Sequence, residues 1–236
     1  MHRLALDIDY VAYIRNLLGD NNPDPVYMLV LAELGGAESI VCYLRDDLKT
    51  VSERDVHVLK EVVKSYLNIR TNLTEENIRK LIRIKPDMIT FVAPGSVNTI
   101  EPVSINLDTY APQLQNYMAE LRSNNILSSV LIDPEIQQVK LAGKIEFDYV
   151  EINSAVLNEV HDMDSEMELL ENLSGLALAA NKLGMGVNIS GPIGYDNVKD
   201  IAAISAIEDI IVGKPILSKA LSIGFEQAVR DMIALL

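Results

Sequence analysis

Residues Glu38–Val56 read ESIVCYLRDDLKTVSERDV. The run Ser39–Leu44 is rich in β-branched, aromatic and apolar residues, stops at the charged turn Arg45-Asp46-Asp47, and is followed by Ser52-x-x-Asp55 at the start of a stretch of helical period. A short, nearly continuous apolar strand is buried on both faces, as in a parallel sheet covered by helices. The same unit of strand, turn and helix recurs outward from here in both directions. Strands are predicted at Leu4–Asp9, Ser39–Leu44, Tyr66–Arg70, Met88–Val92, Leu127–Ile132, Tyr149–Ile152, Gly186–Ile189 and Asp209–Val212. Helices are predicted at Pro25–Leu34, Ser52–Lys64, from Thr74 to before Pro86, and at Asp108–Ser123, Pro134–Leu141, Met163–Leu183, Tyr195–Ile204 and Pro215–Leu236. Tyr10–Leu18 and Ser154–Val160 read as extra short helices on strand-to-helix connections.

Eight such units in 236 residues predict a (β/α)8 barrel. A doubly wound open sheet is the competing architecture and usually needs fewer strands. No Ser-, Gly- or Pro-rich linker interrupts the chain, so residues 1–236 are expected to form one domain.

The net charge of −14 and pI near 4.6 repel phosphate backbones and anionic membrane surfaces, so neither nucleic acid nor a membrane is an expected partner. A small phosphorylated metabolite is still allowed, because a few N–H groups and one or two cations hold it locally. Cys42 is the only cysteine and lies inside an apolar run, which predicts a buried structural thiol in a reducing compartment. Acids within seven residues of the start exclude an uninterrupted apolar leader, and a cytoplasmic location is expected.

In a barrel the chemistry gathers where strands end. The candidates there are Asp7 and Asp9, Tyr43 and Arg45, Asn68 and Arg70, Glu151 and Asn153, Asn188 and Ser190, and Gly213 and Lys214, with members of a pair pointing the same way. Each has a plain alternative: Asp9 as a helix cap, Arg45 as a solvated ion pair with Asp46 or Asp47, Glu151 as a structural partner of Arg45 or Arg70. The turns Ser190-Gly191-Pro192-Ile193-Gly194 and Val212-Gly213-Lys214-Pro215 are expected to offer free N–H groups to a phosphate. No metal-ligating set is read from these residues.

The segments LDIDYVAYIRN (Leu6–Asn16), NPDPV (Asn22–Val26), AELGGAESIVCYLRDD (Ala32–Asp47), RDV (Arg54–Val56), LTEEN (Leu73–Asn77), YVEIN (Tyr149–Asn153), GVNISGPIGYDNVKDIAAI (Gly186–Ile204) and IIVGKPILSKAL (Ile210–Leu221) together resemble the pyridoxine 5'-phosphate synthase family. The resemblance covers nearly the whole chain. It implies a (β/α)8 barrel with extra helices, a cytoplasmic homo-oligomer (an octamer in the family) and a role in vitamin B6 synthesis. The implied reaction condenses 3-amino-2-oxopropyl phosphate with 1-deoxy-D-xylulose 5-phosphate, closing the pyridoxine ring without an organic cofactor.

Carried over by residue, Asp9 and Arg45 stand at family substrate-binding positions, Glu151 at a catalytic glutamate, and Gly213 at a glycine of the phosphate turn. Other positions depart. Asp7 replaces an asparagine, Tyr43 a histidine base, Arg70 a catalytic glutamate and Gly191 a histidine acid; Pro192 replaces a glycine, Lys214 and Thr50 histidines, and Leu18 an arginine. Imine formation, dehydration and ring closure move protons through groups that titrate near neutrality, which tyrosine and arginine do not supply. The chain's histidines, His2, His57 and His161, fall away from strand ends, with His57 expected on an exposed helix face. The resemblance therefore implies a barrel silent in the family reaction; the alternative is a synthase, lyase or isomerase acting through Glu151 and Lys214 or Tyr43.

Overall fold

Alternate residues of each strand face opposite sides, and here the outward set is apolar apart from Thr71 and Ser128, which drives every strand beneath a layer of helices. The computed structural model describes residues 2–95, 98–159 and 162–236; His161 and the end of the expected Ser154–Val160 helix lie outside them. Its strands are β1 (Arg3–Asp7), β2 (Ser39–Leu44), β3 (Tyr66–Thr71), β4 (Met88–Phe91), β5 (Leu127–Ile132), β6 (Tyr149–Asn153), β7 (Gly186–Ser190) and β8 (Asp209–Val212). All pair in parallel with their sequence neighbours, and β8 pairs with β1, closing a (β/α)8 barrel.

The helices are α1 (Asp9–Leu18), α2 (Pro25–Gly35), α3 (Glu53–Val62), α4 (Glu75–Ile84), α5 (Leu107–Ser123), α6 (Ile136–Ile145), α7 (Met163–Lys182), α8 (Val198–Ala202), α9 (Lys214–Ile223) and α10 (Phe225–Ile233), with a 3-10 turn at Ala155–Glu159. Between sheet and helices Leu4, Ile40, Ile69, Phe91, Val150 and Ile189 are fully buried. Several expected boundaries move. The strand expected at Leu4–Asp9 ends at Asp7, because Asp9 is already helical. The helix expected over Tyr195–Ile204 contracts to α8. The one expected over Pro215–Leu236 breaks at Gly224, whose positive φ of 87° ends α9 and lets α10 fold back along α2.

The Ser52-Asp55 signature forms a capping box, and Asp55 also takes a bidentate bond from Arg15 of α1 at 2.8 Å to each oxygen. Burial opposes the Asp55 charge, but Arg15 and the Ser52 N–H and hydroxyl outweigh it and hold this carboxyl below its usual range. Asp55→Ala is expected to cost about 2 kcal/mol in urea unfolding. A depressed folded-state pKa contributes stability above the unfolded value and loses it as pH falls, so the mutant deficit narrows in acid.

Candidate active site

The inward residues of the barrel are unusually polar. Glu151, with no exposed surface, points into the barrel from β6 and meets Arg70 from β3: Arg70 Nη2 donates to Glu151 Oε1 at 2.6 Å and Nε to Oε2 at 3.3 Å. Arg70 Nη1 donates to Asp7 Oδ2 at 2.8 Å, and the Ser190 hydroxyl donates to Glu151 Oε1 at 2.5 Å. Burial works against the Arg70 charge, yet Glu151 and Asp7 outweigh it and raise its pKa. Arg70 is thus the partner that buried Glu151 requires, and Arg45 is not.

The second pair sits at the end of β2. Arg45 forks onto Asp47 at 2.8 and 2.7 Å, and its guanidinium lies 5.3 Å over the Tyr43 ring. Asp46 turns away to Asn77 and Asn72. Burial lifts the Tyr43 phenol to about 12 although Arg45 pulls it down. The Thr50 hydroxyl donates to the Tyr43 carbonyl. Asp9 does not pair with Asp7 as a continued strand would have it: it opens α1, takes the Tyr43 N–H at 2.9 Å, and its own N–H donates to Asp7 Oδ1 at 3.0 Å. Burial and then the Asp7 charge push its pKa well up.

A cavity of about 530 Å³ opens at the C-terminal end of the barrel. Its floor includes Asp7, Arg70, Leu131 and Ser190, and its wall includes Gly191, Gly213 and Lys214. Tyr43, Asp9, Arg45 and Glu151 lie behind or beside this surface; the described lining does not include them. Tyr10, Glu101 and Asp196 are lining residues that spacing did not single out. Tyr10 packs its ring where a Cβ on Gly213 would stand, 2.7 Å away, and donates its hydroxyl to Glu101 at 2.5 Å. Glu101 comes from the β4–α5 connection, which has no periodicity to mark it, and Asp196 follows a turn read only for its glycines.

The β7 turn offers fewer free N–H groups than expected. Ile193 N–H donates to Gly191 O and Gly194 N–H to Asn197 Oδ1, while Pro192 has none. Gly191 has a φ of 133°, a conformation side chains rarely take, and an added Cβ would lie 2.5 Å from Ser154 Oγ. The β8 turn differs: α9 starts at Lys214 with no acid in its first turn, so a lysine ammonium and a helix N-terminus stand together beside the cavity. Among the described lining residues there is neither histidine nor cysteine; His57 is exposed on α3 and the His2 ring bonds Ile207 O.

The family model described as "Pyridoxal phosphate biosynthesis protein PdxJ" matches residues 4–236. Among curated relatives, the "Pyridoxine 5'-phosphate synthase" of Geotalea daltonii is 34% identical over 235 residues, covering 100% of this chain and 98% of its own. That of Prochlorococcus marinus subsp. pastoris is 34% identical over 236 residues, covering 100% and 99%. Among solved structures, KGPDC from Streptococcus mutans superposes with a TM-score of 0.66 at 13% identity, covering 100% of this chain and 97% of that one. Thiamine phosphate pyrophosphorylase from Pyrococcus furiosus superposes at 0.63 with 13% identity, covering 99% and 94%. At those identities the structural likeness speaks for the barrel alone.

Proposed function

The chain belongs to the PdxJ family of pyridoxal phosphate biosynthesis proteins, and from that premise we propose that it keeps the family's barrel and ligand cavity but not the ring-closing condensation. The carrying observation is the Arg70–Glu151 pair. A carboxylate acts as a base only when a lone pair reaches the substrate proton, and both oxygens of Glu151 are engaged by Arg70, one of them also by Ser190. Tyr43, with its phenol near 12, and Gly191, with no side chain, replace the other proton carriers.

The cavity is proposed to take one small phosphorylated metabolite with its phosphate at Gly213-Lys214, where an anion relieves the repulsion between Lys214 and the positive end of α9. A homo-oligomer is proposed on family grounds; α2, largely apolar around its circumference, leaves Tyr27, Val30 and Leu34 exposed to a partner copy. No helix of the described residues is long and apolar enough to cross a membrane.

The test is product and phosphate release from 3-amino-2-oxopropyl phosphate plus 1-deoxy-D-xylulose 5-phosphate. Each missing acid or base costs about 10² to 10⁴ in rate, so turnover is expected at least about 10⁴-fold below an ordinary enzyme. Turnover of ordinary size overturns the proposal and favours the second reading, in which Lys214, placed in the cavity wall, supplies the amine for an imine.

A further inference from the structure

Resting on the phosphate subsite proposed at Gly213-Lys214, a second feature of the same cavity bears on how many anionic groups it takes. The cationic side of the lining is thin. Arg70 is neutralised by Glu151 and Asp7, which leaves Lys214 as the cation facing the upper cavity among the described lining residues. Against it stand the carboxylates of Glu101 and Asp196, both exposed at the rim. Glu101 differs from Asp196 in being fixed beside the subsite. Its Oε1 accepts the Tyr10 hydroxyl at 2.5 Å, and the edge of that same Tyr10 ring rests against Gly213. The anion subsite and the carboxylate are thus held apart by one tyrosine side chain. Burial, then the Asp7 charge and the bond to Glu101, push the Tyr10 phenol far above its ordinary range, so it remains a donor at any working pH.

We infer that Glu101 is a specificity-determining residue: a carboxylate anchored by Tyr10 at the edge of the Gly213-Lys214 subsite, which admits one phosphate group and rejects a second. The physical basis is like-charge repulsion at the cavity rim, worth roughly a factor of 5 to 10 in affinity across about one tyrosine ring. A ligand carrying one phosphate places it at Lys214 and directs neutral or cationic groups toward Glu101. A ligand with phosphates at both ends of a short carbon chain brings the second one against Glu101 and Asp196.

Calorimetric titration with inorganic phosphate and with a pentose bisphosphate tests this, using the full chain and the variants Glu101→Gln and Glu101→Lys. The wild type is expected to bind one inorganic phosphate per chain, and the bisphosphate no more tightly. Glu101→Gln is expected to tighten inorganic phosphate about 5- to 10-fold and the bisphosphate by more, and Glu101→Lys to extend both gains. Tyr10→Phe, which frees the carboxylate without removing it, is expected to fall between wild type and Glu101→Gln. Two phosphates bound per wild-type chain, or affinities indifferent to the charge at position 101, overturn the inference and leave the phosphate subsite standing. Absence of phosphate binding in all of these proteins overturns the subsite itself and the inference with it.

Discussion

Arg70→Met is expected to destabilise the protein by about 3 to 5 kcal/mol, the largest loss anticipated for any single substitution that leaves the backbone unstrained. The side chain removed is almost wholly buried and carries three donor contacts, two to Glu151 and one to Asp7. Methionine keeps the apolar stem and vacates only the guanidinium's place, so most of the cost is two carboxylates facing one another without their cation. Glu151 has no exposed surface, whereas Asp7 keeps 11% and borders the cavity, so Glu151 bears most of the cost. The double variant Arg70→Met/Glu151→Leu removes the charge together with its partner and is expected to recover most of the loss, because a buried ion pair and an apolar pair of like volume are often close in energy. Urea unfolding of the four proteins in a double-mutant cycle reads the coupling directly. A loss below about 1 kcal/mol for Arg70→Met would mean that water from the cavity reaches Glu151, and the locked base would lose its physical ground.

The same pair shows what was legible in the sequence and what was not. The barrel followed from repetition: eight apolar runs, each answered by a helical period, leave few other ways to bury both faces of a parallel sheet. That Glu151 needed a partner was also legible, since an acid inside the run FDYVEIN must be paired or in use. Choosing Arg70 over Arg45 was not, because the choice depends on strand register: β3 turns Arg70 inward at the height of Glu151, while Arg45, just past β2, reaches Asp47 in its own turn. Nor does spacing reveal that Asp7 supplies Arg70 with its second acceptor; only contact between β1 and β3 residues across the barrel brings them together. The break at Gly224 was hidden for another reason: a single glycine inside an apolar helical pattern is compatible with continuation, and its φ of 87° is settled by α10 packing on α2. Glu101 and Tyr10 carried no signal, because a loop residue gains its role from whatever the fold brings opposite it.

Returning the side chains that the resemblance assigns to the family is expected to fail, and Gly191 is the reason. Asp7→Asn with Arg70→Glu and Tyr43→His puts back an amide, an acid and an imidazole at positions where the backbone is ordinary strand. Gly191→His is different. Its φ of 133° is open to glycine and strained for any other residue, at a cost of about 1 to 3 kcal/mol. Its Cβ would stand 2.5 Å from Ser154 Oγ, 3.1 Å from the Ser154 carbonyl carbon and 3.2 Å from Ala155 N, so two of the three obstacles are backbone. Ser154 is itself held, its N–H and hydroxyl both donating to Ser190 O at 2.8 and 2.9 Å, which ties the β6 connection to the end of β7. Overlap against such a fixed neighbour adds about 1 to 3 kcal/mol. Gly191→His alone is therefore expected to lower Tm by roughly 4 to 24 °C, taking 2 to 4 °C per kcal/mol for a chain of this size. Added to the other three substitutions, it is expected to bring no gain in pyridoxine phosphate formation, since an imidazole forced out of the turn does not meet the substrate. A stable Gly191→His protein whose four-residue variant turns over at least about 10²-fold faster than the three-residue one would show that the β7 turn remodels freely, and the proposed silence would then lie in side-chain chemistry alone.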